Sequence, residues 1–216
     1  MHNFYERSRQ YAHQDFREKI LNIENSAKCS NLCSVCKRTA YVKKHGPDKP
    51  FPGRDLTPDQ LRKVLKYFNK VYFCGQVSDP IFNKDFIELL EICYEQDTFC
   101  HVYTAASARP ESWYKRAFAA NPKAKWIFGI DGPPEVSHLY RVNQRGEFLF
   151  KMMCMAREMG LDVEWQVIVF SFNENRLDEC MELAKKHDLN LNIIVSSRGL
   201  DQNLVPKNPK YNIVRG

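Results

Sequence analysis

From residue 20 onward, short apolar runs rich in β-branched and aromatic residues alternate with longer segments whose apolar positions recur every three or four residues. Six runs predict strands: "ILNIE" (20–24), "KVYFCG" (70–75), "FCHVYT" (99–104), "KWIFGID" (125–131), "VEWQVIVF" (163–170) and "LNIIVS" (191–196). Each is apolar on both alternations, the pattern of strands covered on both faces. Between them lie amphipathic helices. The clearest opens at "LTPDQLRKVLKYF", where Thr57 is placed to cap, Pro58 suits the first turn, Gln60 completes a capping box, and Leu61, Val64, Leu65 and Phe68 form one stripe. Further stripes run through Phe82, Phe86, Leu89, Leu90 and Cys93; through Trp113, Ala117 and Phe118; through Phe148, Met152, Met155 and Ala156; and through Leu177, Cys180, Met181 and Ala184.

This rhythm is that of parallel α/β architecture in one domain, with no repeat or linker dividing it. Right-handed crossovers then leave a doubly wound sheet or an open, partial barrel. In both, ligands sit at the carboxyl ends of the strands, where this chain places its polar segments: a cysteine loop, "GQVSDP", "AASAR", "DGPPE", "SFNEN" and "SSRG". The expected organisation is an N-terminal helical extension over 1–19, the strand-and-helix unit over 20–198, and a short irregular tail over 199–216.

A chain of 216 residues with 44% hydrophobic and 27% charged residues has enough apolar surface for a core, which excludes global disorder. No run is long enough to span a membrane, and "MHNFYERSRQYAHQDFREK" lacks the apolar region of a signal peptide, so a cytoplasmic, membrane-free protein is expected. The net charge of +6 comes from 32 basic residues spread among 26 acidic ones, without the basic block that marks nucleic-acid binding. Of eight cysteines, Cys74, Cys93, Cys100, Cys154 and Cys180 stand singly in apolar surroundings and are expected to be buried thiols.

The other three fall within eight positions, in "AKCSNLCSVCKRTA": Cys29, Cys33 and Cys36. Three thiolates from one polar loop satisfy three irons of a cubane cluster and leave the fourth iron open to a non-protein ligand. Zinc is the competing occupant, but it needs a fourth ligand, for which His45 and Cys74 are the candidates, and the spacing lacks the two ligand pairs of a zinc module.

The loop "CSNLCSVCKR" after a first strand resembles the C-x3-C-x2-C cluster loop of the radical S-adenosylmethionine (radical SAM) superfamily, with Val35 where the family often carries an aromatic residue against the cofactor. "GQVSDP", with Gly75, Ser78, Asp79 and Pro80, resembles the Gly-Gly-Glu-Pro segment that binds the methionyl amine. "YTAASAR" resembles the third-strand segment of the SPASM-type, peptide-modifying group, matching at Thr104, Ser107 and Arg109. "FGIDGPPEVSHLYR" matches the fourth-strand stretch at Asp131, Gly132 and Arg141, with Gly129 in place of a ribose-contacting serine. Gln166 and Asn173 in "WQVIVFSFNEN", and Ser196 and Arg198 after the sixth strand, complete the resemblance over residues 20–198.

The resemblance implies a partial (β/α)6 barrel of parallel strands. It also implies a [4Fe-4S] cluster on Cys29, Cys33 and Cys36, with S-adenosylmethionine (SAM) chelating the open iron. SAM contacts would come from Val35, Gly75, Ser78, Asp79, Thr104, Asp131, Arg141, Gln166, Asn173, Ser196 and Arg198. Arg141 would pair with the SAM carboxylate, and Asp131 would touch SAM or serve as a catalytic base. A reducing partner such as flavodoxin or ferredoxin would supply the electron that releases a 5'-deoxyadenosyl radical, which abstracts hydrogen from a substrate. No further C-x2-C pair follows residue 36, so the auxiliary clusters of SPASM proteins are not expected. A peptide or protein is the first expectation for the substrate, a nucleotide or nucleic acid the second, and a partner protein would assist so small a core. Two readings of another kind stand beside this one: a zinc-bearing interaction module built on 29–45, and a SAM-dependent methyltransferase, whose Gly-rich first loop is missing here.

Overall fold

The computed structural model describes residues 19–196 and 202–211. The N-terminal helix expected before residue 19, Arg198, and residues 199–201 and 212–216 of the tail lie outside the described residues. Six strands form one sheet: β1 (Ile20–Ile23), β2 (Lys70–Cys74), β3 (Phe99–Thr104), β4 (Lys125–Gly129), β5 (Val163–Val169) and β6 (Asn190–Val195). Every neighbouring pair is parallel, and the spatial order is the sequence order, β1-β2-β3-β4-β5-β6. A doubly wound sheet reverses its order at a switch point. This sheet never does, so the helices lie on one side and the architecture is the open, partial barrel.

Among the described residues six α-helices follow the cysteine loop and the strands: α1 (Lys37–His45), α2 (Pro58–Val64), α3 (Phe86–Glu95), α4 (Glu111–Ala120), α5 (Gly146–Glu158) and α6 (Leu177–Lys186). The capping box that opens α2 is present, with Gln60 N–H donating to Thr57 Oγ1 at 3.3 Å and Thr57 N–H donating to Gln60 Oε1 at 3.0 Å. Of its stripe only Leu61 is fully buried, because α2 ends at Val64 and leaves Leu65 and Phe68 in the turn that follows. Phe86, Leu89, Leu90 and Cys93 of α3, Trp113, Ala117 and Phe118 of α4, Met152 and Ala156 of α5, and Leu177, Cys180 and Ala184 of α6 are buried in the main core. Met181 is a correction: it turns away from the sheet and is exposed.

The helices cover one face of the sheet, where Val71, Phe73, Val102, Trp126, Phe128, Trp165 and Val167 are buried, and helix and strand aromatics meet there, as in the edge-on Phe118–Trp126 pair at 4.9 Å. The opposite face corrects the expectation of two covered faces. Tyr72, His101, Tyr103, Glu164, Gln166 and Asn192 alternate onto it half-buried and Asn22 is exposed, because an unclosed barrel leaves its inner wall open. Among the described residues no helix is long and apolar enough to cross a membrane.

Candidate active site

A cavity of about 450 Å³ opens at the carboxyl ends of the strands. Ten of the predicted site residues line it: Cys29, Cys33, Cys36, Gly75, Ser78, Asp79, Thr104, Arg141, Gln166 and Ser196. Val35, Asp131 and Asn173 do not. All three loop cysteines are free thiols, half-buried. Cys29 and Cys33 sit at the end of β1's connection, and Cys36 is the last residue before α1. Asn31 fastens the loop: its N–H donates to Cys29 Sγ (3.4 Å), its Nδ2 donates to the Ala105 carbonyl (2.9 Å), and its own carbonyl accepts from Arg38 Nη2. Burial pushes the Cys29 thiol up to about 12, with the Asp79 charge adding and the Asn31 N–H and Arg38 opposing. Cys33 is raised by burial too, against the pull of Arg141.

The loop after β2 is shaped by two carboxylates, one of which the sequence reading missed. Glu24, directly after β1, accepts from the N–H groups of Gln76 (2.9 Å), Val77 (3.1 Å) and Ser78 (2.9 Å), and from Ser78 Oγ (2.6 Å). Such a nest of three successive amides around an anion forces a tight turn. Gly75 makes that turn possible, since a Cβ there would lie 1.8 Å from the Ser78 carbonyl oxygen. The signal was available in "ILNIEN", where a charged residue ends an otherwise apolar run.

Asp79 lies at the cavity wall but is occupied by protein. Its Oδ1 accepts from Thr104 Oγ1 (2.9 Å) and Ile81 N–H (3.3 Å), and its Oδ2 from the N–H groups of Ala105 (2.7 Å) and Ala106 (2.9 Å). It clamps the second loop to the third, with Thr104 as part of the clamp. Burial raises its pKa while those four donors lower it. Ser107 and Arg109 are likewise engaged, Ser107 Oγ accepting from Arg145 N–H (2.7 Å) and Arg109 Nε donating to the Ile81 carbonyl (2.8 Å).

Asp131 is fully buried behind the cavity wall. Its Oδ2 is 2.7 Å from Arg141 Nε, and its Oδ1 accepts from Ile168 N–H at 2.9 Å. Burial pushes its carboxyl up, and Arg141 and the Ile168 N–H pull it back. Arg141 thus reaches the cavity already paired. Gly129 makes room for it, because a Cβ at that position would lie 2.7 Å from Arg141 Nη2. A guanidinium therefore stands where the family's serine would project. Asn173 is buried and bonded wholly to the turn after β5, its Oδ1 accepting from Phe170 N–H (2.7 Å) and its Nδ2 donating to the Ile168 carbonyl (2.9 Å). Gln166, in contrast, lines the cavity, and among the described residues its side-chain amide has no protein partner. Cys74 corrects the expectation of a buried thiol: it is half-buried on the inner face, lines the cavity, and donates to Asn22 Oδ1 at 3.6 Å.

Solved structures share this arrangement of strands, helices and loops. SuiB of Streptococcus suis bound to S-adenosylmethionine superposes with a TM-score of 0.70 over 94% of this chain and 46% of its own, at 13% identity. The enzyme anSMEcpe with bound AdoMet gives 0.62 over 86% of this chain and 56% of its own, at 17% identity. Methylornithine synthase (PylB) gives 0.60 over 87% and 54%, at 16% identity. All three are radical SAM enzymes. This chain has the radical SAM fold. It spans about half the length of each of those three chains. No protein-family model and no curated protein sequence matches it.

The donors around the cysteine loop fit an iron-sulfur cluster. Three free thiols and two guanidinium groups, Arg38 and Arg141, bound the same cavity. Two polar atoms beside the thiols, Asn31 Oδ1 and Arg38 Nε, are buried without a partner among the described residues, which marks a place for a polar ligand. Among the described residues no three His, Cys, Asp or Glu side chains converge as a single metal ion requires. A cubane differs in taking each thiolate on a separate iron. His45, one candidate fourth zinc ligand, packs against Tyr41 at the far end of α1 with ring centroids 4.3 Å apart.

Proposed function

We propose that this chain is a radical SAM enzyme that holds a [4Fe-4S] cluster on Cys29, Cys33 and Cys36, binds SAM beside it, and abstracts hydrogen from a peptide or protein. One observation carries the reading: three free thiols from a single loop open into the cavity that a radical SAM fold forms at the carboxyl ends of its strands. When bound there, the cluster and SAM supply a 5'-deoxyadenosyl radical once an electron arrives from a flavodoxin- or ferredoxin-type reductant.

The chain's own residues position and shield that chemistry. Glu24 and Gly75 hold the loop 75–78 in a tight turn at the cavity, where its backbone would receive a methionyl ammonium. Asp79 acts through the loops it clamps rather than by touching SAM. Arg141, neutralised by Asp131, keeps donors at the wall for a carboxylate. This makes Asp131 a positioning residue instead of a catalytic base. Gln166 and Ser196 supply polar contacts on the inner wall for the nucleoside. Asn173 shapes the turn beneath them, and Val35 lies in the cysteine loop outside the cavity lining. The open inner face, with Tyr72, Tyr103 and Gln166, leaves lateral access for an extended substrate. A peptide substrate is supported by the neighbours, since SuiB has been solved with its precursor peptide SuiA and anSMEcpe with the Kp18Cys peptide.

Anaerobic reconstitution with iron and sulfide, followed by dithionite and SAM, tests the reading. A brown protein that forms 5'-deoxyadenosine, with Cys33→Ala forming none, is the expected result. A colourless, zinc-loaded wild-type protein that forms none would replace it with the interaction-module reading.

A further inference from the structure

Arg38 is only 7% exposed and lines the cavity, yet among the described residues no carboxylate pairs with it. The other cavity guanidinium, Arg141, has Asp131. Arg38 donates from Nη2 to the Asn31 carbonyl, while its Nε is buried without an acceptor. A buried, uncompensated cation with an idle donor is costly unless an anion completes it. Its place in the helix deepens the conflict. Lys37 and Arg38 both stand in the first turn of α1, which contains no acidic residue, so two cations meet the positive end of the helix dipole. The missing anion belongs on the cysteine side: the Asn31 carbonyl accepts from Arg38 while the Asn31 N–H donates to Cys29 Sγ, so a single residue links the guanidinium to that sulfur.

We propose that Arg38 is the countercharge of the cluster bound by Cys29, Cys33 and Cys36, and that it raises the cluster's reduction potential. The inference rests on the radical SAM reading above. Reduction adds one electron, taken from the reductant, to a group that is already anionic, and a fixed cation beside it favours the reduced form. Charge and N–H donors near the sulfurs are established levers on such potentials. By Coulomb's law at an effective dielectric of about 20, two unit charges about 10 Å apart shift an equilibrium roughly tenfold or more. For a one-electron couple, tenfold is about 59 mV.

The test is a redox titration of the reconstituted protein, followed by the electron paramagnetic resonance of the reduced cluster, for wild type, Arg38→Gln and Arg38→Lys. Gln keeps an N–H for the Asn31 carbonyl but removes the charge; Lys keeps the charge and loses the fork. The expected result is a drop of about 59 mV or more in Arg38→Gln, with Arg38→Lys close to wild type at equal iron content. Iron lost from Arg38→Gln but kept in Arg38→Lys at the wild-type potential also supports the countercharge. An unchanged potential in an iron-replete Arg38→Gln overturns it while leaving the radical SAM reading intact. Weaker SAM binding without a shift in potential overturns it in favour of a contact to the SAM carboxylate, and iron lost from both variants overturns it in favour of a purely structural anchor. A wild-type protein that takes up no cluster removes both this inference and the reading beneath it.

Discussion

Gly75→Ala is the substitution whose consequence the structure defines most closely. The added Cβ would lie 1.8 Å from the Ser78 carbonyl oxygen and 2.5 Å from its carbon, both backbone atoms with no side-chain freedom to yield. Ordinary contact begins at 3.4 Å, so the carbonyl must retreat by 3.4 − 1.8 = 1.6 Å. Ser78 is tied to Glu24 through its N–H at 2.9 Å and its hydroxyl at 2.6 Å, and a displacement of that size breaks both bonds. Hydrogen bonds to a charged group contribute about 1.5–3 kcal/mol each. Because the loop is exposed, water restores part of that loss, and a net cost of about 3 kcal/mol to the bound-state geometry is reasonable. At about 1.4 kcal/mol per decade, SAM affinity should fall roughly a hundredfold by calorimetry. The urea midpoint should move much less, since the strain is relieved by opening a rim loop and not by unfolding the core. Gly46→Ala is the control: its φ of +89° is strained for Ala, but no atom lies within 4 Å, so it should leave SAM binding unchanged. SAM binding by Gly75→Ala within about threefold of wild type would refute the argument that this turn shapes the site.

Asp131→Asn should destabilise the chain by about 3–5 kcal/mol, because Arg141 is left charged at a site only 14% exposed. Adding Arg141→Met should recover most of that loss in denaturant unfolding; a double variant no more stable than the single one would show that the pair is not coupled as described. His101 stacks on Tyr72 at 4.2 Å with neither ring nitrogen partnered, and burial, reinforced by Lys125 and opposed by Asp162 and Glu164, lowers its pKa. The unfolded chain therefore binds the proton first as pH falls below about 6.5, so stability should decline from there toward pH 5. His101→Phe should flatten that slope while keeping the stack; an unchanged slope would place its origin elsewhere.

The sequence legibly encodes the strands because each is a block of β-branched and aromatic residues. All six observed strands fall within a residue or two of the expected boundaries. The choice between a doubly wound sheet and a partial barrel was not legible from those blocks, since both use the same units and differ only in spatial order. The motifs predicted which loops meet at the cavity, and ten of the named residues do meet there. What each side chain does was less legible, because a motif records a position and not the direction of its lone pairs. Asp79 and Asp131 both lie where the family resemblance puts acidic groups, yet each carboxylate turns into the protein, toward four donors in one case and a guanidinium in the other. Gly129 supplies the physical reason for the second: with no Cβ in the way, Arg141 fills the space and Asp131 must neutralise it. Glu24 was harder to read for the opposite reason: a charge ending an apolar run marks the position, but it belongs to no motif and gains its role only when β1 and β2 align and bring three backbone N–H groups over its carboxylate. Positions that pair with backbone across strands are thus the ones a one-dimensional pattern omits, and in this fold they decide the shape of the loops in which the motif residues sit.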